Sequence, residues 1–294
     1  MSDLVSVRVS TLPVIAKIPI PDAPDWMAIA RDAVWVSRTG ADSIVRVDPA
    51  TNTIAATVAV GQSPCCGLAA GFGSVWAPVC PDGIARVDAA TNKLTARIAT
   101  PIGTNEGGIA ADATGVWMIS DPAGTLVCID PASNQIVARV ATVPGSWVAA
   151  AGAGAIWVTC TAGNLLLRVD PHGRQVTARI PVGPSPRFLA VADDAVWTLN
   201  QGDGTVSRVD PRTNALVATI ETGIPGGPGG DIAVGEGFVW VAAKRIPVTK
   251  IDPSTNKVVA QFVADGGDAV RVGLGSVWLC SFNLEELWRV DPNF

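Results

Sequence analysis

Three carboxylates, Glu106, Asp231 and Asp268, are the residues of this sequence best suited to acid–base chemistry. Glu106 lies in the string T-N-E-G-G-I-A, where the two glycines that follow let the backbone approach a ligand closely. Burial of such a carboxyl raises its pKa towards the range that a general acid or base needs near neutral pH. We therefore predict catalytic roles for these three residues, with Glu106 as the first choice.

The same three carboxylates also form a candidate metal site. Carboxylate and amide oxygens are the ligands that Ca²⁺ and Mg²⁺ prefer, and Asn200 could add a carbonyl oxygen. The alternative is that these carboxylates cap turns or bind water. The sequence has one histidine, His172, so a site built from several histidines is excluded.

A second set of residues is predicted to bind a substrate through aromatic faces, cations or an amide. Its members are Trp26, Arg38, Trp147, Arg187, Phe188, Asn200, Lys244, Arg245 and Phe282. The aromatic rings suit a planar or apolar ligand, and Arg187 with Lys244 or Arg245 suits a carboxylate or another anion. The alternative for each residue is a solvated surface that tolerates many side chains.

Two locked series of repeats must position these residues. Strings of the type R-V-D-P-x-T-N recur with 39 to 42 residues between their aspartates, which are Asp48, Asp88, Asp130, Asp170, Asp210, Asp252 and Asp291. Tryptophans recur in step with them at Trp35, Trp76, Trp117, Trp157, Trp197, Trp240 and Trp278. Asp-Pro followed by Ser/Thr-Asn favours a tight turn, and each unit contains four short apolar or alternating runs.

Units of about 40 residues with four strands are the size of propeller blades. We therefore predict an all-β fold, a seven-bladed β-propeller of four-stranded antiparallel blades, formed by residues 1–294 as a single domain. The last unit stops after its third strand, at Asp291 and Pro292, and residues 13–21 resemble a fourth strand. The N-terminal strand should therefore pair in the last blade and close the ring.

The propeller predicts which positions face a ligand. The start of each inner strand and the loop after each tryptophan strand meet at one rim of the central channel. Ten residues before the repeat tryptophans stand Asp25, Cys66, Gly107, Trp147, Arg187, Gly230 and Asp268. Residues that agree between the seven copies are most simply structural, whereas these rim positions differ and are free to serve function.

The V-D-P-x-T-N turns and V-W strands, repeated along the whole chain, resemble those of YVTN-type bacterial propellers and of streptogramin (virginiamycin B) lyase-like proteins. The resemblance implies the fold, because these motifs serve the blade itself. In the lyases, histidine, a glutamate and a magnesium ion open a cyclic depsipeptide by elimination. His172 lies in a turn at the opposite end from the family's site, so streptogramin cleavage is not expected.

Charge and cysteine content limit the partners. A net charge of -5 without a basic stripe disfavours nucleic acid, and no apolar run is long enough for a membrane helix.

Cys65 or Cys66 is placed to form a disulfide with Cys80, which would indicate an oxidising compartment, and a thiolate metal site is the alternative. We expect a monomer, periplasmic or secreted if a leader was removed and otherwise cytoplasmic.

These observations favour a small-molecule site at the channel rim. A lyase or hydrolase that uses a carboxylate base and a cationic clamp is the leading hypothesis, with Ca²⁺ or Mg²⁺ as a candidate cofactor. A propeller that binds a ligand or a protein partner without chemistry is the alternative, since this fold hosts many unrelated functions.

Overall fold

Seven β-sheets follow one another around a central channel in the computed structural model, which describes residues 8–294. Residues 1–7 of the predicted domain lie outside the described residues. Blade 1 consists of β3 (Pro24–Ala30), β4 (Ala33–Arg38), β5 (Ser43–Asp48) and β6 (Thr53–Ala59). Blade 2 consists of β7 (Ala69–Gly71), β8 (Ser74–Val79), β9 (Gly83–Asp88) and β10 (Lys93–Ala99). A 3-10 helix at Thr39–Ala41 is the one helical element within residues 8–294.

The next three blades repeat the same antiparallel order from the channel outwards. Blade 3 consists of β11 (Ile109–Asp112), β12 (Gly115–Ile119), β13 (Thr125–Asp130) and β14 (Gln135–Ala141). Blade 4 consists of β15 (Ser146–Gly152), β16 (Ala155–Cys160), β17 (Leu165–Asp170) and β18 (Gln175–Pro181). Blade 5 consists of β19 (Pro186–Val191), β20 (Val196–Asn200), β21 (Val206–Asp210) and β22 (Ala215–Ile220).

Both remaining blades use strands from the start of the chain. Blade 6 consists of β23 (Asp231–Gly235), β24 (Phe238–Ala243), β25 (Ile246–Asp252) and β26 (Lys257–Phe262), with β1 (Arg8–Val9) added in parallel at its outer edge. Blade 7 consists of β27 (Ala269–Gly273), β28 (Ser276–Ser281), β29 (Glu286–Val290) and, as its outer strand, β2 (Val14–Pro19).

The predicted closure of the ring is confirmed. Strand β2 pairs antiparallel with β29, and Val14 lies opposite Val290. The fifth strand of blade 6 was not predicted, because β1 contributes only two residues and carries no repeat motif. All seven repeat tryptophans are buried, as expected for side chains that pack the blades.

Arginines explain why the R-V-D-P-x-T-N turn recurs. Arg208 donates from its Nη1 to the Pro253 carbonyl at 2.6 Å and to Asn256 Oδ1 at 2.9 Å, in the turn of the next blade. Its guanidinium also lies 5.0 Å from the centre of the Trp197 ring. Equivalent contacts are made by Arg86, Arg168 and Arg289. The motif therefore ties each of these blades to its neighbour.

Blades 1 and 2 lack this tie. Arg46 forms an ion pair with Asp32 in its own blade instead of reaching the next turn. That turn has Ala89 in place of proline, and Asn92 Oδ1 is buried without a hydrogen-bond partner in the described part of the chain. This contact between blades is therefore weaker in hydrogen bonding than that of Arg208.

Candidate functional site

Small residues line the central channel and leave a cavity of about 310 Å³. Glycine, alanine and valine supply most of its wall, because the inner strands carry small side chains at the positions that face the axis. The aromatic or charged members of the wall within residues 8–294 are Trp26, Phe188, Asp231 and Arg271. These four side chains therefore give an otherwise apolar channel its specific shape and charge.

Irregular pairing at the start of three inner strands presents several rim residues. The register between inner and second strand shifts between Pro24 and Met27 in blade 1, between Ser146 and Ala149 in blade 4, and between Pro186 and Phe188 in blade 5. Such bulges re-aim side chains and are frequent beside binding sites. The shifts include four candidate rim residues, namely Asp25, Trp26, Trp147 and Arg187.

Two aromatic rings meet in the channel below this rim. Trp26 from blade 1 and Phe188 from blade 5 have ring centres 5.5 Å apart, and their exposed fractions are 4% and 3%. The Trp26 indole N–H is buried without a hydrogen-bond partner among residues 8–294. The structure thus brings together two of the predicted binding aromatics, which form an apolar floor under the rim.

Asp25 is the carboxyl with the most unusual environment at the rim. Partial burial, together with the negative charges of Asp268, Glu106 and Asp231, raises its pKa to about 7. Its carboxyl forms no hydrogen bond or ion pair with the described residues. The residue was absent from the predicted catalytic set, although its place ten residues before Trp35 could have included it.

Glu106, the first predicted acid or base, is held by an arginine. Its carboxylate forms an ion pair with Arg187, whose guanidinium lies 4.5 Å from the Trp147 ring and 5.3 Å from the Phe188 ring. The Trp147 indole donates to the Glu106 carbonyl at 3.2 Å. The structure therefore joins four predicted residues in one cluster, in which the predicted anion-binding arginine already has a carboxylate partner.

Asp231 and Arg271 form a second ion pair, inside the channel. Burial raises the pKa of Asp231, and the Arg271 charge opposes that shift. Sequence reasoning missed Arg271, although a signal existed in the repeat. The residue paired with each repeat tryptophan on the inner strand is alanine in blades 1 to 6 and arginine only in blade 7.

Asp268 lies on the blade 7 side of the rim. Its carboxylate accepts the Phe282 backbone N–H at 2.8 Å, while the Phe282 ring is 41% exposed. Burial raises the pKa of Asp268, and the charge of Lys244 lowers it. Glu106 and Asp231 thus each have an arginine partner, whereas Asp25 and Asp268 have none within residues 8–294.

The predicted metal site is not assembled. Within residues 8–294, no three His, Cys, Asp or Glu side chains lie close enough together to hold a metal ion. Glu106 and Asp231 are instead paired with arginines, Arg187 and Arg271 respectively. Asn200 is fully buried inside blade 5, where its amide bonds Thr205 and Ser207, so the prediction that it faces a ligand is wrong.

Arg38 and His172 both lie away from the cluster around Glu106. Arg38 forms an ion pair with Asp22 and donates to the Pro21 carbonyl at 2.9 Å, so it holds the connection between blades 7 and 1. His172 is exposed in the turn between β17 and β18, as expected.

The predicted disulfide joins Cys65 to Cys80, while Cys66 stays a buried free thiol. Cys65 and Cys80 belong to the same end of blade 2, and their Cα atoms are 5.8 Å apart. The neighbouring Cys66 thiol is instead turned to the Thr104 carbonyl, 3.3 Å away. This decides between the two pairings that the sequence left open.

Solved structures of two other proteins share the fold. The chain is similar to the Pan2 WD40 domain of Neurospora crassa, with a TM-score of 0.70 and 11% identity over 93% of this chain and 92% of that one. It is also similar to BamB from Moraxella catarrhalis, with a TM-score of 0.65 and 12% identity over 95% and 100% of the two chains. Identities this low show the β-propeller fold alone.

The other comparisons add no family. Neither a family model nor a curated protein sequence matches the chain. The resemblance to streptogramin lyase-like proteins therefore stays a prediction. No helix in residues 8–294 is long and apolar enough to cross a membrane.

Proposed function

We propose that the channel mouth is a small-molecule site in which Asp25 exchanges a proton with the ligand. The observation that supports this most directly is the Asp25 carboxyl itself. It is half-buried at the rim, lacks a partner among the described residues and has a pKa of about 7. A carboxyl in that state is expected where a ligand supplies the missing partner.

The neighbours of Asp25 suggest how a ligand would lie. Trp26 and Phe188 offer an apolar floor for a ring or an alkyl group. Arg271 and Arg187 keep guanidinium N–H groups beyond those that bond Asp231 and Glu106, and these can bind a ligand oxygen. Deprotonated Asp25 would then remove a proton from the substrate, as in a lyase, or from water, as in a hydrolase.

Binding without chemistry is the second candidate, and the two ion pairs favour it. Arg187, one member of the cationic clamp expected from the sequence, is already neutralised by Glu106, and Arg271 is neutralised by Asp231. Under this alternative, Asp25 contributes a hydrogen bond to the ligand and no turnover follows.

Turnover and binding of the Asp25→Asn variant separate the two candidates. Hydrolysis of p-nitrophenyl acetate and of a set of cyclic esters is measured against pH, together with thermal shifts in a panel of small aromatic and hydroxylated compounds. For an enzyme, kcat/KM rises through about pH 7 and falls at least about 100-fold in Asp25→Asn. Asp88→Asn, in a turn at the opposite face, is the control, and its turnover and ligand-induced thermal shifts should match those of the parent.

A binding protein gives another pattern. Ligands then shift the melting temperature of the parent without turnover, and Asp25→Asn changes affinity alone. If every ligand and substrate behaves identically with the parent and with Asp25→Asn, the proposal is wrong.

A further inference from the structure

A second cavity lies beside the mouth, between blades 5 and 6, and it also measures about 310 Å³. One wall is the glycine- and proline-rich segment 224–229, which connects β22 to β23. The opposite wall carries Lys244 and Arg245 at the turn between β24 and β25, and the apolar side chain of Leu199 completes it. Within the described part of the chain, this cavity and the central channel are lined by different residues.

Positive charge dominates this cavity. Among residues 8–294, Lys244 and Arg245 are the charged residues that line it, and no Asp or Glu of that range does so. Both are exposed, and neither forms an ion pair with a carboxylate in the described part of the chain. Two unpaired adjacent cations in a protein of net charge -5 favour an anionic ligand over a neutral one or a cation.

The glycine segment adds backbone donors to these cations. Gly227 and Gly229 have φ values of 151° and 94°, and a Cβ atom on either would meet no atom within 4 Å, so the backbone there faces open space. The N–H groups of Gly226 and Gly229 donate to no acceptor within residues 8–294. These two N–H groups are separated by Gly227 and Pro228, and each can donate one hydrogen bond to an anion in the cavity.

Gln201 fixes the shape of this segment. Its carbonyl accepts the Gly227 N–H at 2.7 Å, and its amide Nε2 donates to the Gly229 carbonyl at 2.7 Å. The side-chain Oε1 of Gln201 accepts a hydrogen bond from Nη1 of Arg187 at the mouth, at 3.4 Å. The glycine segment is therefore anchored at one side while its outer backbone remains free to meet a ligand.

We propose that this cavity binds the phosphate group of a small organic phosphate. A phosphate monoester carries close to two negative charges and three acceptor oxygens, which match one lysine, one arginine and the free glycine N–H groups. Leu199, Ile224 and the prolines would contact the organic part of the ligand. The proposal concerns a site separate from that of Asp25 and does not depend on chemistry at the mouth.

Calorimetric titration with phenyl phosphate tests this assignment. The parent protein is compared with the Lys244→Ala/Arg245→Ala double variant, in buffers matched for ionic strength with sodium chloride. We expect the affinity for phenyl phosphate to fall at least about tenfold in the double variant, because two charge-assisted contacts are lost. Lys93→Ala/Lys257→Ala, which removes two exposed lysines from outer strands, is the matched control and should bind like the parent.

Two further ligands complete the test. Inorganic phosphate should bind more weakly than phenyl phosphate, since it lacks the group that contacts Leu199 and Ile224. Absence of phenyl phosphate binding to the parent, equal binding to the double variant, or equal affinities for the two phosphates would each overturn the proposal. Asp25→Asn should leave phosphate binding unchanged, so failure at this cavity and failure at the mouth are distinguished.

Discussion

The turn face, where the third and fourth strands of each blade meet, and the mouth both carry aspartates, but their surroundings differ. At the turn face the pKa values of five exposed aspartates are lowered by hydrogen bonds from Ser or Thr hydroxyls or backbone N–H groups of their own turns. They are Asp88, Asp130, Asp170, Asp210 and Asp252. At the mouth, burial raises the pKa values of Asp25, Asp231 and Asp268.

The difference separates structural from functional carboxylates within one residue type. A turn aspartate gains donors from the fold, so its charge stabilises the folded state. The Asp25 carboxyl gains no donor from the described residues and loses water, so its charge opposes folding unless a ligand intervenes. The structural aspartates occur at the same position in each repeat, whereas the carboxyls at the mouth occur where the repeats differ.

Removal of the strand that closes the ring should destabilise the turn face and the mouth together, and it should have the largest effect on stability. Deletion of residues 1–21 removes β2 and the buried side chains of Ile18 and Ile20. We expect the melting temperature to fall by at least roughly 10 °C, since lost core side chains cost several kcal/mol and each kcal/mol corresponds to about 2–4 °C. Calorimetry measures the change.

Deletion of residues 1–9 is the control for this experiment, because it removes β1 and leaves β2 in place. It should lower the melting temperature much less. Equal losses for the two deletions would show that the pairing of β2 with β29 does not close the ring.

Asn substitutions at the two faces should have opposite effects on stability. The folded pKa of Asp25 is raised from 3.8 to about 7, so wild-type stability falls as the pH rises through that window. Asp25→Asn removes this penalty and should stabilise the protein by up to about 4 kcal/mol near pH 8, and by little near pH 4. Urea unfolding at several pH values measures it.

Asp88→Asn is the opposing member of this pair. The folded pKa of Asp88 is lowered, chiefly by the Thr91 hydroxyl, so its contribution is present above the unfolded pKa and is lost in acid. Its substitution should destabilise the protein at neutral pH, with the difference shrinking on acidification. The same sign of change for Asp25→Asn and Asp88→Asn near pH 8 would contradict the assigned environments.

The arginine ties allow a smaller and sharper test on the turn face alone. Arg208→Ala leaves the Pro253 carbonyl and Asn256 Oδ1 without this donor and should cost about 2 kcal/mol. Arg46→Ala removes only a surface ion pair with Asp32 and should cost less than about 1 kcal/mol. Urea unfolding of both variants checks the order, and an equal cost would remove the distinction between the two contacts.

The fold was predictable because the information repeats. Each V-D-P turn and each tryptophan is present in several copies, and a strand missing at one end, next to Asp291, was matched by residues 13–21 at the other. Short elements without a motif, such as β1, were not predictable, since two residues carry no period.

The site was less predictable from the sequence because its chemistry depends on contacts between side chains that are far apart in the chain. The rim position of Glu106 followed from the repeat, but its pairing with Arg187 joins residues 81 positions apart and three-dimensional packing alone decides it. Asn200 was predicted to face a ligand, but it is the last residue of β20 and its side chain points into the blade. A shift of one residue along a strand moves a side chain from one face to the other, and the repeat spacing does not determine the position that precisely. To select Asp25 among the rim carboxyls, one must know which of them form ion pairs with arginines in the folded protein.

Arg289 contacts Pro49 and Asn52, which are synthesised more than two hundred residues earlier. During synthesis the first blade must wait, with its turn unoccupied, until the last arginine leaves the exit tunnel. The pairing of β2 with β29 is subject to the same delay. Late completion keeps apolar blade surfaces open for most of translation, so the nascent chain, more than the finished ring, is the form most exposed to aggregation.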